Sequence, residues 1–432
     1  MKKQKIATID IGTTKIVCIY GERDENGNFS IKAMESIPSA GVVRGAVINL
    51  QKTTENIKHV VRAVKEKTGE DFKEVFVGIA GDHIRTIKSS EYINFGEYRD
   101  ITAKDIQELE KNIKKIHLDA NQEILEIIPQ DYNTDDMRGT TEPVGLYSSR
   151  IEGNYHIVTG KTQSIAIINK CVENAGLKVK QLILEPLASA YATLTTEEKE
   201  GGVIMIDIGG GTSDIAVFKD HRLINTAVIP FGGEAITNDL VKILKILHRQ
   251  AEEIKVKYAS CLPSMEKEEI VEVPGIEGRS TKKIHLKEIA NIINARVSEI
   301  FKFILTELKE AKINLDNIGI GIVLTGGGAQ LKYINKLVEL LTTKEVRIGT
   351  PQMDNANIIN KPQYATAVGL IIAGSHYLDK YDEELEHAQE QIDEGKEQVE
   401  QEEQEEKKKQ KSTSLFNKLT EIIIGNKDDQ NF

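Results

Sequence analysis

Tryptophan is missing from this sequence, and aromatic residues make up only 5% of it, so its cores have to be built from aliphatic side chains. Cysteine is scarce too. Cys18, Cys171 and Cys261 show neither paired nor metal-type spacing, which excludes a disulfide framework and a zinc site and fits a reducing compartment. No apolar run reaches the roughly 18 residues of a membrane span. The opening MKKQK leads into a strand too short to be the apolar region of a signal peptide, so a cytoplasmic setting is expected. Basic excess is also lacking. The net charge is −11 and no basic stripe stands out, so nucleic acid is not an expected partner. The acidity is local: residues 379–406 hold fourteen Asp and Glu against Lys380 and Lys396, and the remainder is close to balanced.

What is present is length and repetition. A chain of 432 residues is too long for one ordinary core, and its apolar runs alternate with helical patterns, which predicts an α/β protein of two or more domains. The stretch IATIDIGTTKIVCIY at 6–20 returns as VIMIDIGGGTSDIAVF at 203–218. Each copy is an apolar strand ending in Asp-x-Gly, a turn of small residues and a second strand. The first copy continues into a strand near 29–37 and a helix at about 53–68; the second into a strand at 223–229 and a helix at about 233–248. The matched order predicts a duplicated domain.

Residues 82–160 read as an α+β insertion. Its helix, expected over 102–116, places Ile106, Leu109, Ile113 and Ile116 on one face, with Thr102 and Asp105 as an N-terminal capping pair. The expected organisation is a first domain from 1–81 and 161–194, the insertion, and a second domain over 195–376 with an extra region at about 249–310. A charged linker, 377–411, and an amphipathic segment, 412–425, follow.

The turns carry the chemistry. A phosphate-binding loop needs backbone N–H groups that side chains do not obstruct, so GGGTSD at 209–214 suits anionic oxygens, and Asp10 and Asp207 at the strand ends could hold Mg²⁺ through its waters. A third run, LTGGGA at 324–329, again ends an apolar strand and could lie beneath an adenine or a phosphate. Taken singly, each run also fits an ordinary turn. NYHIVTGKT is not a P-loop, because Tyr155 stands where its first glycine belongs.

In this order the motifs resemble the superfamily of actin, the heat-shock chaperones and the sugar kinases, over about residues 5–376. That resemblance implies a duplicated actin-like ATPase fold with ATP and Mg²⁺ in an interdomain cleft. It assigns Asp10 and Asp207 to the metal, with Glu185 orienting water. Gly12, Thr13, Thr14 and Lys15 would meet the phosphates from one side, and Gly209, Gly210, Gly211 and Thr212 from the other. Gly232, Gly233, Glu252 and Lys255 would flank ribose and base, with Gly326, Gly327 and Gly328 below. Glu252 and Lys255 also fit a solvated helix pair. LEPLASAYATL (184–194) and YATAVGLIIAG (364–374) correspond to two connecting helices whose small residues allow a close crossing.

The insertion, the segments PFGGEAITNDL and PQYATAVGL, and the terminal STSLFNKLTEIIIG resemble the FtsA family of bacterial division proteins more closely. Leu415, Phe416, Leu419, Ile422 and Ile423 fall on one helical face after KKKQK, a pattern that suits either the lipid interface or a protein groove. The resemblance implies lipid, the inner face of the plasma membrane at the division site, self-assembly, and contacts with other division proteins through the insertion. It also implies that the C-terminal peptide of FtsZ meets the helix around 292–304, near Lys287, Arg296 and Glu299. ATPase activity would be weak at most. A pilus-type actin-like adaptor and a soluble small-molecule kinase use the same cleft and remain alternatives at this point.

Overall fold

The computed structural model describes residues 3–81, 83–275, 280–353 and 359–382. Residues 3–375, apart from the gaps just given, belong to one compact unit containing two five-stranded sheets of one topology. In the first, Lys178–Leu184, Glu74–Ile79, Gln4–Ile11, Lys15–Arg23 and Phe29–Pro38 lie side by side; in the second, Val346–Ile348, Gly321–Thr325, Val203–Ile208, Ser213–Lys219 and Arg222–Ile229 do. Each sheet joins an antiparallel meander to two parallel strands. The duplication read from the two Asp-x-Gly strands is therefore a duplication of whole sheets. Strands flanked by packing on both faces need unbroken apolar runs, and Val203–Ile208 is buried at every position.

Helix Leu50–Thr68 opens on the Asn49 side chain, which accepts from the Lys52 N–H, and closes on Gly69 at φ 71°. It begins three residues earlier than the periodicity alone suggests because the cap, not the apolar stripe, sets its start. Its buried Ile57, Val60, Val61 and Val64 repeat at three and four residues, as one helical face requires. The expected helix 233–248 instead ends at Leu244, with Lys245 left-handed at φ 50°, and a second helix, His248–Tyr258, follows. The apolar strand before the third glycine run, Gly321–Thr325, stops there because Gly326 turns the backbone to φ 83° and a short 3-10 helix, Gly327–Gln330, succeeds it.

The chain from Ile84 to Lys161 forms a three-stranded antiparallel sheet, with Tyr147–Lys161 between Ile84–Asp100 and Gln122–Asn133. Its helix, Ala103–Ile113, is shorter than expected but starts on the Thr102–Asp105 capping box, and the Arg99 guanidinium grips Asp105 at 2.7 and 2.9 Å.

Two helices pass between the halves. Glu185–Thr193 follows the first sheet's edge strand, and a second helix runs through residues 365–375. They cross closely at residue 369, where a Cβ on Gly369 would overlap the carbonyl oxygen of Ala188. The extra region carries a small hairpin, Ile270–Val273 with Lys282–His285, and the long helix Leu286–Glu310.

Candidate nucleotide site

The turns of the two central hairpins meet face to face. A Cβ on Gly210 would overlap the Thr14 side chain, and one on Gly211 the Thr13 side chain. Neither glycine adopts a left-handed φ, so close approach rather than backbone angle requires them. The N–H groups of Gly233 and Glu234, opening helix Gly233–Leu244, donate to the carbonyls of Gly209 and Gly210 at 2.9 and 2.8 Å and fix the second turn from behind. The Thr13 hydroxyl accepts from the Gly45 N–H at 3.1 Å and fixes the first.

A cavity of about 500 Å³ opens along these turns. Asp10, Gly12, Thr13, Thr14, Lys15 and Glu185 line it from one half. Asp207, Gly209, Gly210, Gly211, Thr212, Gly233, Glu252, Lys255, Gly326, Gly327 and Gly328 line it from the other. Gly232 alone of the expected residues does not: it packs behind the turn, where a Cβ would press on the carbonyls of Gly209, Gly210 and Thr212. Its glycine serves the loop's packing rather than a ligand's approach.

Four carboxyl groups converge here, Asp10, Glu185, Asp207 and Asp214. Burial pushes Asp10 up to about 6, with Asp207 adding to the rise and Lys15 opposing it. Burial also raises Asp207, against hydrogen bonds from Ser189 and Thr366. It raises Glu185 and Asp214 well above the usual carboxylate range, reinforced by the neighbouring carboxylates. Lys15 is the cation facing them; its ammonium donates to the Gln363 carbonyl and lies 5.0 Å over the Tyr364 ring. Concentrated buried negative charge of this kind suits a divalent cation. Among the described residues no three Asp, Glu, His or Cys side chains are grouped to hold an ion directly, so these carboxylates fit an ion reached through its waters. The buried Asp214 Oδ1, with no hydrogen-bond partner among the described residues, fits the same chemistry.

The comparisons with known proteins decide the family. The family model for cell division protein FtsA matches residues 204–369, and that for the SHS2 domain inserted in FtsA matches 81–159. Cell division protein FtsA of Pseudomonas aeruginosa is 35% identical over 372 residues, spanning 85% of this chain and 89% of that protein. That of Neisseria meningitidis serogroup B is 36% identical over 376 residues, spanning 86% and 90%. The chain belongs to the FtsA family of cell division proteins. Among solved structures, the PilM–PilN type IV pilus biogenesis complex matches with a TM-score of 0.61 at 15% identity, over 85% of this chain and 98% of that one. MreB5 of Spiroplasma citri bound to ADP matches with 0.54 at 14%, over 88% and 98%. At such identities these two show the actin-like fold alone.

Within this FtsA-family chain Glu252 and Lys255 are not a solvated pair. Lys255 donates to Glu252 at 2.7 Å, to the Thr237 hydroxyl at 2.8 Å and to the Gly233 carbonyl at 3.1 Å, which ties their helix to the N-terminus of the helix behind the second turn. On helix Leu286–Glu310, Arg296 is engaged by Asp239 at 2.8 Å and by Glu299. Lys287, nine residues earlier, leaves the helix about 180° away and pairs with Glu268, so it shares no face with Arg296. Leu415, Phe416, Leu419, Ile422 and Ile423 lie outside the described residues.

Asp214, Ser189, Thr366 and Gln363 join the site without standing out as site residues in the sequence. Asp214 had a signal. It pairs with Asp207 across the hairpin just as Val17 pairs with Asp10, a charge where the first copy keeps a valine.

Proposed function

We propose that this FtsA-family chain binds ATP with Mg²⁺ between its halves, self-assembles, and tethers the FtsZ ring to the inner face of the cytoplasmic membrane. The observation that carries the reading is the contact of the two glycine turns, Gly210 on Thr14 and Gly211 on Thr13, above buried carboxylates. Mg²⁺, when bound, supplies charge that neutralises phosphate oxygens. The chain's own groups do the rest. The N–H groups of 12–15 and 209–212 cradle the phosphates, and Lys15 balances their charge from the first half. Asp10 and Asp207 hold the ion's waters, Glu185 orients a further water, and Gly326, Gly327 and Gly328 let the nucleoside lie close to the backbone. With nucleotide gripped from both halves, its main work is to set the protomer's shape for assembly, with slow hydrolysis secondary.

The apolar face of 412–425 inserts into lipid. Five side chains at ~1–2 kcal/mol each, less the cost of ordering the helix, give one copy reversible binding. Assembly raises the effective concentration of every further tail and turns weak contacts into firm adhesion. The FtsZ C-terminal peptide meets helix Leu286–Glu310, its carboxylates replacing Glu299 on Arg296. Other division proteins meet the insertion.

Co-sedimentation of the full chain and of one ending at residue 411, with anionic vesicles and ATP, tests the tether. Loss of pelleting on truncation is expected, and equal pelleting would remove the membrane role. Asp207→Ala should abolish Mg²⁺-ATP binding and filament formation, and a variant that kept both would remove the nucleotide assignment. Arg296→Glu with undiminished affinity for the FtsZ peptide would remove that contact.

A further inference from the structure

The two halves repeat each other, yet their strand-end carboxylates are held differently. Asp207 Oδ2 accepts from the Ser189 hydroxyl at 2.7 Å and from the Thr366 hydroxyl at 3.0 Å, and those two oxygens are 3.0 Å apart. Each hydroxyl has one proton to give. With both given to the carboxylate, the contact between the hydroxyls holds no proton, and all the donor capacity of the triangle points at Oδ2. Among the described residues nothing donates to Oδ1, which lies beside the left-handed Gly326, where a Cβ would displace it. Asp10 has no side-chain donor of either kind among the described residues.

Ser189 and Thr366 come from different places. Ser189 is fully buried on helix Glu185–Thr193, next to the Ala188 carbonyl that meets Gly369; Thr366 stands one turn before Gly369 on the other connecting helix. The hydroxyl pair therefore sits at the helix crossing and fastens it to the cleft.

We infer that Ser189 and Thr366 are positioning residues for the cation site: together they fix the Asp207 carboxylate so that Oδ1 alone faces the cleft, and they lock that orientation to the crossing of the two connecting helices. This rests on the Mg²⁺-ATP reading above. An ion held through its waters needs a carboxylate in one orientation, and a hydrogen bond to a charged group is strong enough to impose it. Thr366 also lines the cavity, whereas Ser189 does not and reaches it only through Asp207.

The test is a pair of opposite substitutions at Thr366, with Ser189→Ala beside them. Thr366→Val keeps the shape and removes the hydroxyl; Thr366→Ser keeps the hydroxyl and removes the methyl. A fluorescent ATP analogue is titrated into each full-length chain, first with EDTA and then across a Mg²⁺ series, and the thermal midpoint is read without ligands. Thr366→Val and Ser189→Ala should raise the Mg²⁺ concentration at half-effect by about tenfold, Ser189→Ala, outside the cavity lining, leaving metal-free nucleotide affinity within about twofold, and Thr366→Ser should match the wild type. A Thr366→Val chain with wild-type Mg²⁺ dependence overturns the inference, as does a Thr366→Ser chain that is the impaired one, which would mark a packing role. A wild-type chain whose ATP affinity ignores Mg²⁺ would remove the metal reading itself, and this inference with it.

Discussion

Arg222 donates to Asp131 at 2.7 Å, and in doing so joins the inserted sheet to the half of the molecule it does not grow from. Asp131 lies on strand Gln122–Asn133 of the insertion, whose last strand, Tyr147–Lys161, runs directly into helix Thr162–Asn174 and the first sheet; Arg222 opens the edge strand of the second. Four residues on, Thr226 meets Thr86 at 3.1 Å and His156 Nε2 at 3.3 Å, both from the insertion.

A double-mutant cycle on Asp131→Ala and Arg222→Ala should give a coupling of about 1 kcal/mol in urea unfolding. The side chains are about a quarter exposed, at 22% and 25%, so solvent screening keeps the figure near the top of the surface range and no higher. Strictly additive losses would mean that the ion pair contributes nothing to docking the insertion, leaving that task to Thr226.

The carboxylate cluster should make the ligand-free chain less stable as pH rises. Asp10 has a folded pKa near 6 against an ordinary 3.8. A raised pKa contributes stability that is full below the unfolded value and is lost as pH climbs through the folded one. Between about pH 4 and pH 7, without nucleotide or metal, the contribution of Asp10 to stability should therefore fall. Asp10→Asn should flatten that fall and be more stable than wild type at pH 7.5, by on the order of 1–3 kcal/mol, while losing Mg²⁺-ATP. An Asn variant no more stable than wild type at pH 7.5 would contradict the burial cost assigned to the Asp10 carboxylate.

Most of the fold was legible because duplication is written in local pattern: Asp-x-Gly after an apolar strand, twice, in one order. The two turns and the third glycine run were legible for the same reason, since close approach to another backbone or a ligand leaves glycine as its mark. What stayed hidden depends on contacts between distant segments. Ser189 and Thr366 are 177 residues apart and read as small packing residues until their hydroxyls converge on Asp207. Gly232 looked like a ligand-facing glycine because sequence cannot say which side of a loop another segment backs. The engagement of Arg296 was hidden for the same reason, because its partner, Asp239, lies on another helix.

The crossing of the connecting helices should tolerate no added carbon at residue 369. Gly369→Ala places a methyl group onto the Ala188 carbonyl, a backbone atom that cannot rotate away. A loss of about 1–3 kcal/mol is expected in urea unfolding, although alanine is the better helix former by about 1 kcal/mol. A neutral or stabilising result would mean that the helices separate at little cost, and the hinge would then be looser than the contact implies.

His156 should drive stability in the opposite direction to Asp10 over the same range of pH. It is fully buried in the insertion, its Nδ1 has no partner among the described residues, and burial, with the nearby Lys88 charge, lowers its pKa from 6.5 to about 4. A folded pKa below the unfolded one gives stability that is full above pH 6.5 and is lost as pH falls toward 4, by on the order of 2–3 kcal/mol. In the wild type this loss on acidification partly cancels the gain from Asp10, so the pair of variants is more informative than the wild-type curve. His156→Asn should strip out the acid-side loss and leave the Asp10 gain exposed as a midpoint that climbs steadily from pH 7 to pH 4.5. If the Asn variant followed the wild-type curve, the imidazole would have to titrate as freely in the folded chain as in the unfolded one, and its burial against Thr226 could not be as close as the structure has it.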